Sequence, residues 1–288
     1  MPKKASAPAA EVKKTLRHSG LKAKKGLGQH FLVDETVLST IISAAELSPE
    51  DFIIEIGPGL GILTAELARN AGRVTAIELD SKLASRLKQK LSCLDNITII
   101  NKDILKTELS HLIKGKNSYK VVANIPYYIT SPILNYFMEA PLKPSLMVVM
   151  VQKEVGENIV AEPGEMTALS ISLQVYSKPR IVAYVPSQSF YPPPKVDSVI
   201  VRFDMLPEPA VKVENINNFM AFVRCGFRSP RKQLRNSLAY GLGIKQRETA
   251  LLLTEADIDS QRRPETLNLN EWQKLYEVTI ASGKVLLP

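Results

Sequence analysis

The chain has 288 residues, 45% of them hydrophobic and 23% charged, with a formal net charge of +8. That composition excludes a disordered or fibrous chain and suits one large domain, or a domain with a smaller companion. No apolar run approaches the roughly 20 residues of a membrane-crossing helix, and no apolar signal core opens the chain, so a cytoplasmic protein with no membrane partner is expected.

In chain order, residues 1–25 carry Lys3, Lys4, Lys13, Lys14, Arg17, Lys22, Lys24 and Lys25 against the single acid Glu11. Little apolar periodicity accompanies them, and they are expected to form a flexible basic arm. From Gly26 the pattern becomes regular. "DFIIEI" (51–56) reads as a strand ended by the glycine loop "GPGLG" (57–61), and "LTAELARN" (63–70) as a helix. "RVTAIE" (73–78), "ITII" (97–100), "YKVVAN" (119–124) and "SLMVVMVQ" (145–152) read as further strands, with a helix around 80–92. Strands alternating with helices imply an α/β fold with a parallel sheet covered on both faces.

"RIVAYV" (180–185) and "DSVIVRF" (197–203) are joined by a proline-rich loop with no helix, which fits an antiparallel pair at the end of the sheet. The prolines of "LPEPA" (206–210) mark a linker, and residues beyond 214 show helical periodicity. Domains are therefore expected at 1–25, 26–206 and 207–288, the last small and all-α. Cys93 and Cys225 are far apart, as are His18, His30 and His111, so neither a disulfide framework nor a metal site is expected.

Three strand ends carry chemistry. The glycine loop follows a buried strand and opens a helix, where backbone can approach a ligand closely and negative charge is favoured. Glu78 ends the next strand, where a carboxylate can accept hydrogen bonds from both ribose hydroxyls. Asp103 follows the third strand; it can face an adenine edge or simply cap a helix. Together they suit an adenosine-containing cofactor. Ile62 stands where a dinucleotide fingerprint has its third glycine, which counts against a nicotinamide oxidoreductase.

The fourth strand ends in Asn124, Ile125, Pro126 and Tyr127. The Asn124 amide oxygen and the Ile125 carbonyl can accept both N–H groups of an exocyclic amine. Pro126 stiffens the turn, and Tyr127 offers a face for a base to stack on, worth about 1–3 kcal/mol.

These stretches resemble a known family. An Asn-Ile-Pro-Tyr turn after the fourth strand, with "EIGPGLG" (55–61), resembles the amino-methyltransferases that use S-adenosylmethionine. "GLGQHFL" (26–32), "VQKEVGENIVAEPG" (151–164), "SFYPPPKVDS" (189–198) and "GFRSPRKQLRNSL" (226–238) narrow the resemblance to the ribosomal RNA adenine dimethyltransferases that modify small-subunit RNA. The resemblance implies a seven-stranded, mostly parallel Rossmann-like sheet with an antiparallel final strand and a small helical domain. It implies that His30, Leu32, Gly57, Gly59, Glu78, Asp103 and Asn124 contact the cofactor. Asn124 with Ile125 and Pro126 would hold the target amine, and Tyr127 and Phe190 would stack on the target adenine. The implied partner is small-subunit rRNA, met by a monomer through Lys22, Lys24, Lys25, Arg224, Arg228, Arg231, Lys232 and Arg235. After "AEPG" the family often carries a longer polar insert, whereas only four residues, 165–168, precede "LS" here. The rival readings are a large-subunit rRNA adenine methyltransferase of the macrolide-resistance type, the oxidoreductase, and a non-catalytic nucleic-acid binder.

Overall fold

The computed structural model describes Lys24 and residues 28–283. β1 (Phe31–Leu32) is followed by β2 (Phe52–Ile56), β3 (Arg73–Glu78), β4 (Ile97–Asn101), β5 (Lys120–Asn124), β6 (Leu146–Gln152), β7 (Ser177–Val185), β8 (Phe190–Tyr191) and β9 (Ser198–Met205). Seven of these form one sheet in the order β4-β3-β2-β5-β6-β9-β7, while β1 and β8 form a short antiparallel ribbon. β4, β3, β2, β5 and β6 run parallel, and β9 runs antiparallel to β6 from Leu146↔Asp204 to Gln152↔Ser198.

The parallel strands read as apolar runs because both of their faces are covered; every residue of β2 is buried. Helix Ile62–Asn70 sets Leu63, Leu67 and Ala68 into the same core as Ile53 and Val74. Helix Ser81–Lys90 sets Ala84 and Leu87 against Ala76 and Ile99. Its start is fixed by Asp80, whose Oδ1 accepts from the Lys82 and Leu83 N–H groups at 3.0 and 3.5 Å. From β2 the chain winds outward through β3 and β4 on one side, and through β5 and β6 on the other. The carboxyl ends of β2 and β5 therefore flank a topological switch point, where open α/β sheets form a crevice.

The chain divides into two compact units, Met1–Gly156 with Pro179–Met205, and Glu157–Lys178 with Leu206–Pro288. The sequence pattern places 157–178 in the first domain, and the structure moves that segment to the second. Met166, Ile171 and Val175 fill the second core together with Phe219, Phe222 and Trp272. The Glu265 carbonyl accepts from the Gly164 and Met166 N–H groups at 2.8 and 3.2 Å, and Ala210 N donates to the Val175 carbonyl at 2.8 Å. Helices Ile216–Gly226 and Leu234–Leu242 cross closely in this unit, because a Cβ on Gly241 would lie 2.3 Å from the Cys225 carbonyl oxygen.

Candidate active site

One cavity opens at the carboxyl ends of β2, β3, β4 and β5 and is lined by residues of β2, β3 and β5, by 102–104 just after β4, and by 28–32. The glycine loop forms its floor. Gly59 has φ 56°, and a Cβ there would come within 3.1 Å of the Phe31 ring, so any other residue would strain the loop on this path. Helix Ile62–Asn70 begins at Gly61 with no side-chain cap, which leaves its first N–H groups facing the cavity end of the helix.

Glu78 is 6% exposed, and both of its oxygens accept backbone N–H groups, Oε2 from Gly59 at 3.2 Å and Oε1 from Asp80 at 2.9 Å. Burial raises its carboxyl above the usual range, and those N–H groups partly counter the shift. Asp103 lines the cavity and accepts from Leu105 N through Oδ1 at 3.0 Å, so it is both a turn cap and a wall residue. Leu32 and Gly57 also line the wall.

At the end of β5, Asn124 donates through Nδ2 to the His30 carbonyl at 3.3 Å. This leaves the amide oxygen as the acceptor. Ile125 is anchored by its N–H on the Met150 carbonyl at 3.1 Å, and the Pro126 carbonyl accepts from Ile129 N at 3.2 Å. The Tyr127 hydroxyl pairs with Ser198 Oγ at 2.6 Å. His30 Nδ1 lies 2.7 Å from the Pro192 carbonyl, which assigns the proton to Nδ1.

Phe190 does not join this set. Its side chain is 3% exposed and sits in the core with Leu32, Ile53 and Ile200. β8 alternates, so Phe190 points into the core while its neighbour Tyr191 packs on the small Phe31, Leu60 and Leu83 cluster. Phe190 thus occupies a core position here, and His30 is the aromatic ring next to Tyr127.

Of the expected RNA contacts, Lys22 and Lys25 lie outside the described residues. Lys24 pairs with Asp80 at 2.7 Å. In the second unit Arg224, Arg228, Arg231 and Lys232 are exposed and Arg235 is half-buried, with no ion pair to any of them among the described residues.

Sequence reasoning assigns no role to Glu55. It lines the cavity and is 1% exposed, and its Oε2 has no hydrogen-bond partner. Burial pushes its carboxyl up to about 8, and the nearby Thr64 hydroxyl partly counters this without reaching hydrogen-bond geometry. The signal available for it is an acid inside the apolar strand "DFIIEI". A buried acid with a spare acceptor, a glycine floor and a strand-end carboxylate together fit a cofactor that carries a cation and a ribose.

Residues 20–278 match the family described as ribosomal RNA adenine dimethylase. The chain belongs to this family. It is 48% identical over 275 residues to ribosomal RNA small subunit methyltransferase A of Dehalococcoides mccartyi, covering 94% of each chain. Among solved structures, it superposes on a dimethyladenosine transferase from Plasmodium falciparum with a TM-score of 0.76 and 28% identity, over 88% of this chain and 98% of the other. The 23S rRNA methyltransferase ErmE gives a TM-score of 0.68 and 29% identity over 86% and 98%. Members of the adenine dimethylase family take their methyl groups from S-adenosylmethionine, and this chain is a methyltransferase that uses the same donor.

Proposed function

We propose that the enzyme methylates the N6 amines of adenosines in small-subunit 16S rRNA, giving N6,N6-dimethyladenosines in a 3′-terminal hairpin during ribosome biogenesis. The observation that carries this reading is the orientation of Asn124. Its Nδ2 is engaged by the His30 carbonyl, so its oxygen is the end free to accept an amine N–H beside the glycine loop. The small-subunit substrate is favoured over the large-subunit alternative by the relative at 48% identity, against 29% for ErmE.

S-adenosylmethionine supplies an electrophilic methyl group on a sulfonium sulfur. Glu78 would hold its ribose, Asp103 its adenine edge, and the loop at Gly57 and Gly59, with Glu55 behind it, its amino-acid end. Asn124 Oδ1 and the Ile125 carbonyl would accept the two N–H groups of the target amine. Held in this way, the nitrogen becomes pyramidal and its lone pair leaves the delocalised ring. Most of the rate gain then comes from positioning and from polar groups aimed at the developing positive charge. The nitrogen loses its proton to solvent after transfer, and one remaining N–H is enough to hold it for a second methylation.

A base reaches this edge only after leaving its stack, at a cost of a few kcal/mol that Tyr127 would offset in part. The exposed cations Arg224, Arg228, Arg231 and Lys232, with Arg235, would contact phosphates, so that RNA shape rather than base identity selects the site. The enzyme would act as a monomer in the cytoplasm. No helix among the described residues is long and apolar enough to cross a membrane. Incubation with radiolabelled S-adenosylmethionine and unmethylated small or large subunits, followed by mapping of labelled adenines, tests the reading. Label in small-subunit dimethyladenosine supports it, and label confined to large-subunit RNA overturns it.

A further inference from the structure

Lys24 belongs by sequence to the basic stretch expected to meet RNA, yet its charge is engaged within the protein. Its Nζ lies 2.7 Å from Asp80 Oδ2, and the Asp80 side chain is 3% exposed. The main chain at this point is held as well, since Lys24 N donates to Gln29 Oε1 at 2.8 Å. Gln29 lines the cavity. Asp80 is two residues beyond Glu78, and its own N–H donates to Glu78 Oε1 at 2.9 Å. A continuous polar chain therefore runs from the lysine ammonium through one carboxylate to the backbone bond that holds the other.

We propose that Lys24 is a positioning residue for the cofactor: by neutralising Asp80 it keeps Glu78 an ionised, correctly held acceptor, and it is not an RNA-phosphate contact. The proposal rests on the reading that Glu78 holds the cofactor's ribose.

The physical reason is a second carboxylate set beside a buried one. Burial is the largest influence raising the Glu78 carboxyl, and the charge of Asp80 just after β3 adds to it. Burial also pushes Asp80 upward, but the Lys24 bond and the N–H groups of Lys82 and Leu83 outweigh it and hold this carboxyl below its usual range. Lys24 thus leaves Asp80 ionised to cap helix Ser81–Lys90 while screening its charge from Glu78. Without the lysine, the Asp80 charge is uncompensated and pushes Glu78 toward the neutral acid. A neutral acid is a weaker acceptor for ribose hydroxyls.

The test is binding of S-adenosylhomocysteine to full-length protein by calorimetry, for wild type, Lys24→Met, Asp80→Asn, the double variant and Glu78→Ala. Asparagine is as good a helix cap as aspartate, so Asp80→Asn is expected to fold. Lys24→Met should weaken binding about five- to tenfold, the low end of typical coupling between sites. The deficit should grow as pH falls, because Glu78 then protonates sooner in the variant. Adding Asp80→Asn to Lys24→Met should recover most of the loss, since the unpaired charge is gone.

The salt dependence of RNA binding, measured in parallel, should be unchanged in Lys24→Met. Unaltered cofactor affinity in Lys24→Met, a pH-independent deficit, no recovery in the double variant, or a flattened RNA salt slope would each overturn the proposal. Unaltered affinity in Glu78→Ala would instead remove the ribose reading, and the proposal with it.

Discussion

The Tyr127 and His30 rings lie 5.9 Å apart at the cavity wall and only 21° from parallel. The Tyr127 hydroxyl is also tied to Ser198 Oγ, so the ring is held from its edge as well as beside its face. A ring braced in this way is a preformed platform for a flat base.

Tyr127→Ala should therefore weaken RNA substrate binding or turnover by about five- to a hundredfold, the equivalent of roughly 1–3 kcal/mol of stacking, with a smaller loss of stability than a core ring would cost. Phe190→Ala should do the reverse, costing about 3–5 kcal/mol of stability because a buried ring is lost from the core. Steady-state kinetics beside thermal unfolding separates the two. A Phe190→Ala protein of normal stability with a large RNA defect would return that ring to the site.

The strands and the strand-end chemistry are legible in the sequence because parallel strands buried on both faces appear as unbroken apolar runs. Asn124, Glu78 and Asp103 interrupt those runs where the chain meets the crevice. Three features are not legible. The burial of Phe190 depends on the pairing of Leu32 with Phe190 in a two-residue ribbon, and alternation along so short a strand cannot be read from composition. The apolar positions of Met166, Ile171 and Val175 show a helical face, but not which of two cores it fills. The pairing of Lys24 with Asp80 joins charges far apart in the chain.

Glu55 gives a pH-dependent prediction. In the folded protein its carboxyl is pushed from the ordinary 4.5 to about 8 by burial. A raised acid favours the folded state only while protonated, so its burden on stability is absent below about pH 4.5, grows as pH rises, and levels off above about 8. Glu55→Gln removes the ionisation. The cofactor-free variant should unfold at a higher temperature than wild type, by a margin that widens between those pH values. Melting curves that stay parallel across the range would show that Glu55 remains ionised in the fold.

The cations of the second unit predict a change in salt response without a change in cofactor binding. A combined Arg228→Ala, Arg231→Ala, Lys232→Ala variant should bind RNA more weakly, with a log–log salt slope smaller by about one for each phosphate no longer neutralised. Its affinity for S-adenosylhomocysteine should match wild type. A slope identical to wild type would leave these side chains as a solvated face.

The orientation of the Asn124 amide is tested most directly by single-turnover methylation of unmethylated small subunits with Asn124→Ala, alongside S-adenosylhomocysteine binding by the same protein. The expected result is methyl transfer slowed about 10²-fold or more, as when one positioned polar group is removed, in a protein that still binds the ligand. Undiminished transfer by the alanine variant would contradict the account, because the Asn124 amide oxygen would then not be needed to hold the amine.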